Sequence, residues 1–335
     1  MKEKIRMSDI ADRLGVSKVT VSKALADKDG VSAGLREKIK QLAEELGYTR
    51  NHAARSLKGG RNYNVGVIIP ERFLVESKSF YWMLFHAISD ALASKGYYGI
   101  LEILSAKQEN EPAIPAMLEL NRVDGIIMLG QAGLNYITAL QKSEVPLVCM
   151  DFYRSEDDID TVVTDNFFGA LTLTDYLIRL GHLELGFVGN LHTTNSIQDR
   201  FLGFLKALIL HGIPLKDEWI LSDREDSGTF IPISLPQILP TAFVCNCDET
   251  AFRLIQALNA ESIRVPEDVS VVGFDDYLAS SVCKPPLTTV AVDMQRMAST
   301  AATEVIRKIC DNRYHFGRRI IGGHVIYRES AAPPR

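Results

Sequence analysis

"SKVTVSKAL", residues 17–25, decides how the N-terminal part of this chain is read. Its apolar residues are Val19, Val21, Ala24 and Leu25, while Lys18, Thr20, Ser22 and Lys23 give it a basic, hydroxylated side. Val21, Ala24 and Leu25 are placed to hold a helix against its neighbours, and Ser17 stands where a hydroxyl accepts an orphan backbone N–H. Upstream, "MSDIADRL" (7–14) sets Ile10, Ala11 and Leu14 on one helical face, with Ser8 as its expected cap and Gly15 as its stop. Downstream, "DKDG" (27–30) reads as a turn. "VSAGLREKIKQLAEELGY" (31–48) reads as a third helix, capped by Ser32, with a stripe of Leu35, Ile39, Leu42, Ala43 and Leu46 and Gly47 at its end. Helix, tight turn and second helix predict a helix-turn-helix, whose second helix enters the major groove N-terminal end first. Lys18, Val19, Thr20, Ser22 and Lys23 then face nucleic acid, and Ser8 and Ser17 at the helix starts are counted with them. A lysine donates to guanine or phosphate and a valine meets a thymine methyl. The Ser22 hydroxyl bonds phosphate and fixes register. For this segment alone, a three-helix cap with a solvated basic face is the competing reading.

Charge supports the first reading. The 335-residue chain carries a formal net charge of −5. Residues 1–61 hold 14 Lys and Arg against 8 Asp and Glu, whereas the remainder holds 23 against 34. A basic head on an acidic body predicts that only the head meets a polyanion. No apolar run reaches the roughly 18 residues that span a bilayer. The N-terminus has no apolar stretch behind its basic residues, so it does not read as a secretory signal. Five cysteines, Cys149, Cys245, Cys247, Cys283 and Cys310, form no disulfide framework and fit a reduced cytoplasm. The Cys245/Cys247 pair has no His/Cys cluster nearby, so no metal is expected, and no cofactor either.

From residue 63 the texture changes to short apolar runs alternating with amphipathic stretches. "YNVGVIIP" (63–70), "YYGILEIL" (97–104), "DGIIMLG" (124–130), "VPLVCMD" (145–151), "ELGFVGN" (184–190), "TAFVCN" (241–246) and "VSVVGFDD" (269–276) predict buried parallel strands. Helices are expected over 80–95, 166–180, 199–212 and 248–260. The pattern predicts a doubly wound α/β body in two lobes. Pro232 and Pro236 argue against a regular helix over 223–239. The stretch "TRNHAARSLKGGRNYN" (49–64) reads as a basic linker with a short helical centre.

"MSDIADRLGVSKVTVSKAL" (7–25) and "VSAGLREKIKQLAEELGYTRNHAARSLKGG" (31–60) resemble the DNA-reading head of the lactose/galactose-repressor (LacI/GalR) family. "RLGHLELGFVGN" (179–190), "DRFLGFLKAL" (199–208) and "VPEDVSVVGFDDYLASSVCKPPLTTVAVD" (265–293) resemble that family's effector-binding body. The likeness runs in order over nearly the whole chain. It implies an all-α helix-turn-helix head (1–50), a hinge helix and linker (51–62), and a two-lobed, periplasmic-binding-protein-like α/β body of doubly wound parallel sheets (63–335). The lobes would be about 63–165 and 166–290, with the C-terminal segment crossing back. It also implies roles. Asn51 through Leu57 match the hinge helix, in which Leu57 would wedge between base pairs, a device that kinks DNA. Ala54 would face the partner hinge, and Arg55 and Lys58 the DNA backbone. Arg200 and Asp275 match ligand-contacting residues between the lobes, and Asp151 a further polar contact. Charged groups suit sugar hydroxyls because both make charge-assisted hydrogen bonds. Phe80 or Tyr81 would stack on a sugar face or pack in the core, and Ser196 would line the cleft. The chain departs from the pattern twice. Ala26-Asp27 replaces an Asn after the recognition helix, which removes or moves phosphate contacts. Cys247-Asp248 stands where relatives carry Asn-Asp, with Asn246 as the expected substitute. His182 is read as a structural turn residue.

Three function classes compete. A ligand-switched repressor accounts for head, hinge and body together, and implies a homodimer on pseudo-palindromic double-stranded operator DNA, a small sugar-like effector, and a cytoplasmic, nucleoid-associated location with no membrane partner. A solute-binding protein of a transporter would share the body, carry a signal peptide and lack the head. An enzyme needs a catalytic constellation, yet the chain has no GxSxG, Walker A or HExxH sequence, nor GxGxxG after a strand.

Overall fold

A computed structural model describes residues 5–25, 27–46, 48, 60–74, 80–111, 113–154, 159–277 and 283–335. They form two compact units, 1–61 and 62–335.

The first unit contains α1 (Met7–Leu14), α2 (Lys18–Leu25) and α3 (Ala33–Glu45). Its core is Ile10, Ala11, Val21, Ala24, Ile39 and Ala43. Gly15 ends α1 in the left-handed region, at φ 62°, and its N–H reaches Ala11 O; a Cβ there is disfavoured. Ser17 caps α2, accepting the Thr20 N–H at 3.0 Å. Ser8 does not cap α1 as expected. Arg6 holds that position, and Asp9 reaches back to accept the Arg6 N–H at 2.7 Å. An acidic residue in the first turn satisfies the orphan donor in place of the serine hydroxyl. Ser32 is the α3 cap by position, without a side-chain bond.

In the second unit the chain builds β1 (Asn64–Pro70), β2 (Tyr98–Leu104), β3 (Gly125–Leu129), β4 (Leu147–Met150) and β5 (Thr161–Thr164). It continues with β6 (Leu185–Val188), β7 (Ile220–Leu221), β8 (Ala242–Cys245), β9 (Ser270–Asp275) and β10 (Thr288–Ala291), and returns through β11 (Arg318–Ile321) and β12 (His324–Ile326). One six-stranded sheet runs β11-β5-β4-β3-β1-β2 and the other β12-β10-β9-β8-β6-β7. All pairings are parallel except β12 with β10. The helices α4 (Phe80–Ser94), α5 (Ala106–Asn110), α6 (Ala116–Glu119), α7 (Leu134–Lys142), α8 (Asn166–Arg179), α9 (Asn195–His211), α10 (Asp248–Ala260) and α11 (Met294–Cys310) connect them. Since α11 packs on α4 and β3–β5, the chain passes between lobes after β5, after β10 and between β11 and β12.

The central strands are buried on both faces, as in β1, β3, β4, β8 and β9, which is why they read as unbroken apolar runs. α9 begins at Asn195, one turn before the expected 199, because Thr194 caps it by accepting the Ile197 N–H. Residues 222–241 contain no regular helix. His182 is buried and hydrogen bonds Thr241 Oγ1 and the Ala332 carbonyl, both at 2.9 Å, pinning the C-terminal segment to the turn before β6.

Candidate DNA-reading face and interlobe site

On α2, Lys18, Val19, Ser22 and Lys23 are exposed and Thr20 is half-buried, opposite buried Val21 and Ala24. Val19 is 64% exposed. An uncovered valine between lysines lacks a packing role in its own unit and has the chemistry to meet a thymine methyl. The hydroxyls divide: Ser17 and Thr20 bond each other at 2.8 Å, while Ser22 has no protein partner among the hydrogen bonds of the described residues. Ser8 Oγ bonds its neighbour Asp9 at 3.3 Å. Asp27 pairs with Lys40 at 2.7 Å. Asn51, Ala54, Arg55, Leu57 and Lys58 lie outside the described residues.

In the body, strand ends bring together a second set. Asp151 follows β4 and Asp275 ends β9, both 6% exposed and both with positive φ, 68° and 118°. Non-glycine residues in this region store backbone strain, which collects at functional sites. From α4, Tyr81 Oη donates to Asp151 Oδ2 at 2.8 Å, and its ring stacks on Phe73 with centroids 4.6 Å apart. Gly130 leaves room for this pair, since a Cβ there would fall 2.9 Å from Phe73 and 3.0 Å from Tyr81. From α9, Arg200 Nε donates to Asn166 Oδ1 at 2.8 Å and Nη1 to the Asn246 carbonyl. Its guanidinium lies 3.8 Å from the Phe274 ring centroid. Arg200 Nη2 sits 3.2 Å from Asp275 Oδ1 and pairs with its charge, whereas Asp151 Oδ1 is buried with no donor among the described residues.

Burial shifts these groups. It pushes Asp275 up to about 7, with Arg200 opposing and the nearby Asp151 charge adding. It raises Asp151 too, against Arg200 and the Tyr81 hydrogen bond. The Tyr81 phenol is raised well above its usual range by burial and then by Asp151. Two strained, desolvated carboxyls, one oriented guanidinium and a phenol therefore converge from both lobes, at the carboxyl ends of parallel strands where ligands of open α/β folds bind.

Other expected residues are placed differently. Asn246 does not substitute for the missing amide. Its Nδ2 donates to Val188 O, Asp223 Oδ2 and Thr250 Oγ1, and its Oδ1 accepts from Arg224, so its side chain is consumed inside the lobe. Its carbonyl instead orients Arg200. Phe80 is in the core cluster, packed edge-on to Tyr81. Ser196 pairs with Thr194 at 2.9 Å in the first turn of α9. Asn166, Phe274, Asp223 and Arg224 were not anticipated. Asp223 and Arg224 are separated by only one peptide from each other but by more than twenty residues from Asn246 and Thr250, so no local pattern announces them.

The lobes also touch directly. Gln131 Oε1 accepts the Asn195 N–H at 2.9 Å, and Tyr153 Oη donates to Asp199 Oδ1 at 2.9 Å.

Comparison with known proteins covers both the head and the body. Residues 6–51 match the model of bacterial regulatory proteins of the lacI family, and 174–331 a periplasmic binding protein-like domain. The HTH-type transcriptional repressor PurR of Pasteurella multocida is 30% identical over 314 residues, 90% of this chain and 91% of its own length. The transcriptional regulator CelR in complex with cellobiose superposes with a TM-score of 0.70 at 23% identity, covering 98% of this chain and 100% of that one. The lac repressor dimer bound to operator and the anti-inducer ONPF gives 0.70 at 22%, with the same coverage. A transporter's solute-binding protein would lack the head that 6–51 match, which overturns that alternative. Among the described residues no helix is long and apolar enough to cross a membrane. With its head matched to the family model and a repressor aligned along nine-tenths of its length, the chain belongs to the LacI family: it is a helix-turn-helix, DNA-binding transcriptional repressor with a periplasmic-binding-protein-like body, and not an enzyme.

Proposed function

We propose that this repressor binds a pseudo-palindromic operator as a homodimer in the cytoplasm, on the nucleoid, and that a small polyhydroxylated effector between the lobes switches its affinity. The observation that carries the switch is the convergence of Tyr81, Asp151, Arg200 and Asp275 from both lobes, with a buried Asp151 oxygen that lacks a donor. Unmet buried acceptors cost free energy that a ligand's hydroxyls recover. The likeness to CelR with cellobiose supports a sugar in this position, and the lac repressor dimer supports twofold assembly. Lys18 and Val19 read bases, Ser22 and Lys23 hold the backbone, Ser17 and Thr20 build the start of α2 on the DNA side, and Ser8 is counted with them in the DNA-binding set. Asn51 to Leu57 act as a hinge, with Leu57 as the wedge, Ala54 against the partner, and Arg55 and Lys58 at the DNA backbone. The domain division is a head over 1–50, a hinge and linker over 51–62, and a body over 63–335.

DNA and effector favour different lobe arrangements, so each changes affinity for the other by the same factor. The test titrates a sugar panel that includes cellobiose into wild type and Arg200→Ala bound to labelled operator, after checking the fold by circular dichroism. A sugar that alters operator affinity in wild type and not in the variant supports the reading. An equal response in both would place the effector elsewhere.

A further inference from the structure

We infer that the interlobe site accepts an uncharged polyol and rejects sugar acids and sugar phosphates, because its buried carboxylate oxygens need donors while its guanidiniums are already matched. This rests on the reading that the effector binds between the lobes.

Asp151 Oδ1 is buried and receives no hydrogen bond, and Asp275 Oδ1 has only the Arg200 Nη2 contact at 3.2 Å, which leaves it acceptor capacity to spare. Both are acceptors when ionised, so the ligand they lack is one that presents O–H or N–H. A carboxylate or phosphate would instead set a third negative charge beside two carboxyls, a juxtaposition that like charges oppose. Such an anion would need a free cation. The two guanidiniums that act on Asp275 are Arg200 and Arg224. Arg224 is bound by Asp223 through two of its nitrogens, at 3.0 and 2.6 Å. Arg200 spends Nε on Asn166 and Nη1 on the Asn246 carbonyl, rests Nη2 against Asp275, and covers a ring face with Phe274. It is therefore a fixed plane with its fork engaged, unlike an arginine that receives a ligand carboxylate bidentately. Its role is to hold Asp275 in place and to offer what remains of Nη2 to a neutral oxygen.

A second consequence separates this site from one that merely tolerates sugars. Donors from the ligand favour the ionised form of the carboxyls they reach. Burial holds Asp275 near neutrality and raises Asp151. Binding therefore expels protons, and affinity rises with pH up to about 7 before levelling.

The experiment uses the full chain in thermal-shift and calorimetric titrations against three sets: glucose, galactose, ribose and cellobiose; glucuronate and galacturonate; glucose 6-phosphate and fructose 1,6-bisphosphate. At least one neutral sugar is expected to bind, with proton release seen as a buffer-dependent heat at pH 6.5, and the acids and phosphates are expected not to. Asp151→Asn and Asp275→Asn, which keep side-chain shape, should each weaken the neutral sugar by about tenfold or more. Tyr81→Phe provides a milder variant should either fail to fold, weakening the sugar by releasing Asp151. An acid or phosphate whose binding is lost in Arg200→Ala overturns the charge selection while leaving the interlobe site standing. Silence from every neutral sugar also overturns the selection. Binding that none of the four variants affects overturns the interlobe reading itself.

Discussion

Lys18 and Ser22 sit one turn apart on the exposed side of α2, and their chemistry predicts different failures. A lysine at a guanine edge carries sequence information, so Lys18→Ala should change the ranking of operator variants, with a penalty of about 1–3 kcal/mol at the contacted pair. A hydroxyl on phosphate positions without reading, so Ser22→Ala should weaken all operators alike. Binding-site selection with each variant separates the two, and an unchanged ranking for Lys18→Ala would remove it from the reading set. At Asp275 the sign of a pH effect is fixed by its shift. The carboxyl takes up protons near pH 7 in the folded chain and near 4 when unfolded. Its contribution is therefore fully present below about pH 4 and lost as pH rises through about 7. Wild type should lose stability relative to Asp275→Asn across that interval, whatever constant offset the variant carries from leaving Arg200 without its counter-charge. Denaturant melts at pH 4.5 and 7.5 measure the change, and a pH-independent difference would refute the assignment. Arg200 and Asp275 were singled out because their motifs resemble a known body, and the structure brings their side chains to 3.2 Å from each other. Asn246 was misplaced because adjacent residues at a strand end point to opposite sides, and one step decides between the ligand cleft and the lobe interior.

At the scale of elements, the helix-turn-helix and the inner strands were readable, while the parts that close the two lobes were not. β5, β10 and β11 are four residues long and half Thr or Arg, and β12 is only His-Val-Ile, so they lack the apolar run that marked the central strands. α11 presents Met297, Ala298, Ala301, Ala302 and Val305 to the core. These residues recur at helical spacing, but most are alanines rather than large aliphatic residues, and their smallness lets α11 lie close to α4. Close approach also decides the α8–α9 contact. Gly203 in α9 faces the α8 backbone so tightly that a Cβ would fall 2.2 Å from Phe167 O and 3.0 Å from Leu171 N. Backbone cannot rotate aside as a side-chain tip does, so Gly203→Ala should force the helices apart. A loss of about 1–3 kcal/mol is expected from overpacking of this kind, read as a lowered midpoint in urea. An unchanged midpoint would show that the helices part at no cost. Gly15→Ala differs: nothing lies within 4 Å of a Cβ there, and the cost is the left-handed backbone alone, about 1–2 kcal/mol.

For the whole molecule, charge divides the labour. Residues 1–61 carry the cationic excess and the remainder the anionic one, and each compact unit has its own apolar cluster. The body, if it met DNA alone, would be repelled by phosphate, so operator affinity must come from the head. Phosphate contacts release condensed counterions, and six of them weaken binding about a thousandfold between 50 and 200 mM salt. The full chain should show a steep salt dependence of that order. Residues 62–335 expressed alone should melt cooperatively, since both six-stranded sheets lie within them, and should show no operator binding at 50 mM salt in a mobility-shift titration. A sugar found to bind the full chain should bind this fragment with an affinity that operator DNA does not alter, because reciprocity between effector and operator requires both sites in one molecule. Specific operator binding by 62–335 would move the DNA contacts out of the head, and a DNA-sensitive sugar affinity in the fragment would break the separation of reading from sensing on which the switch depends.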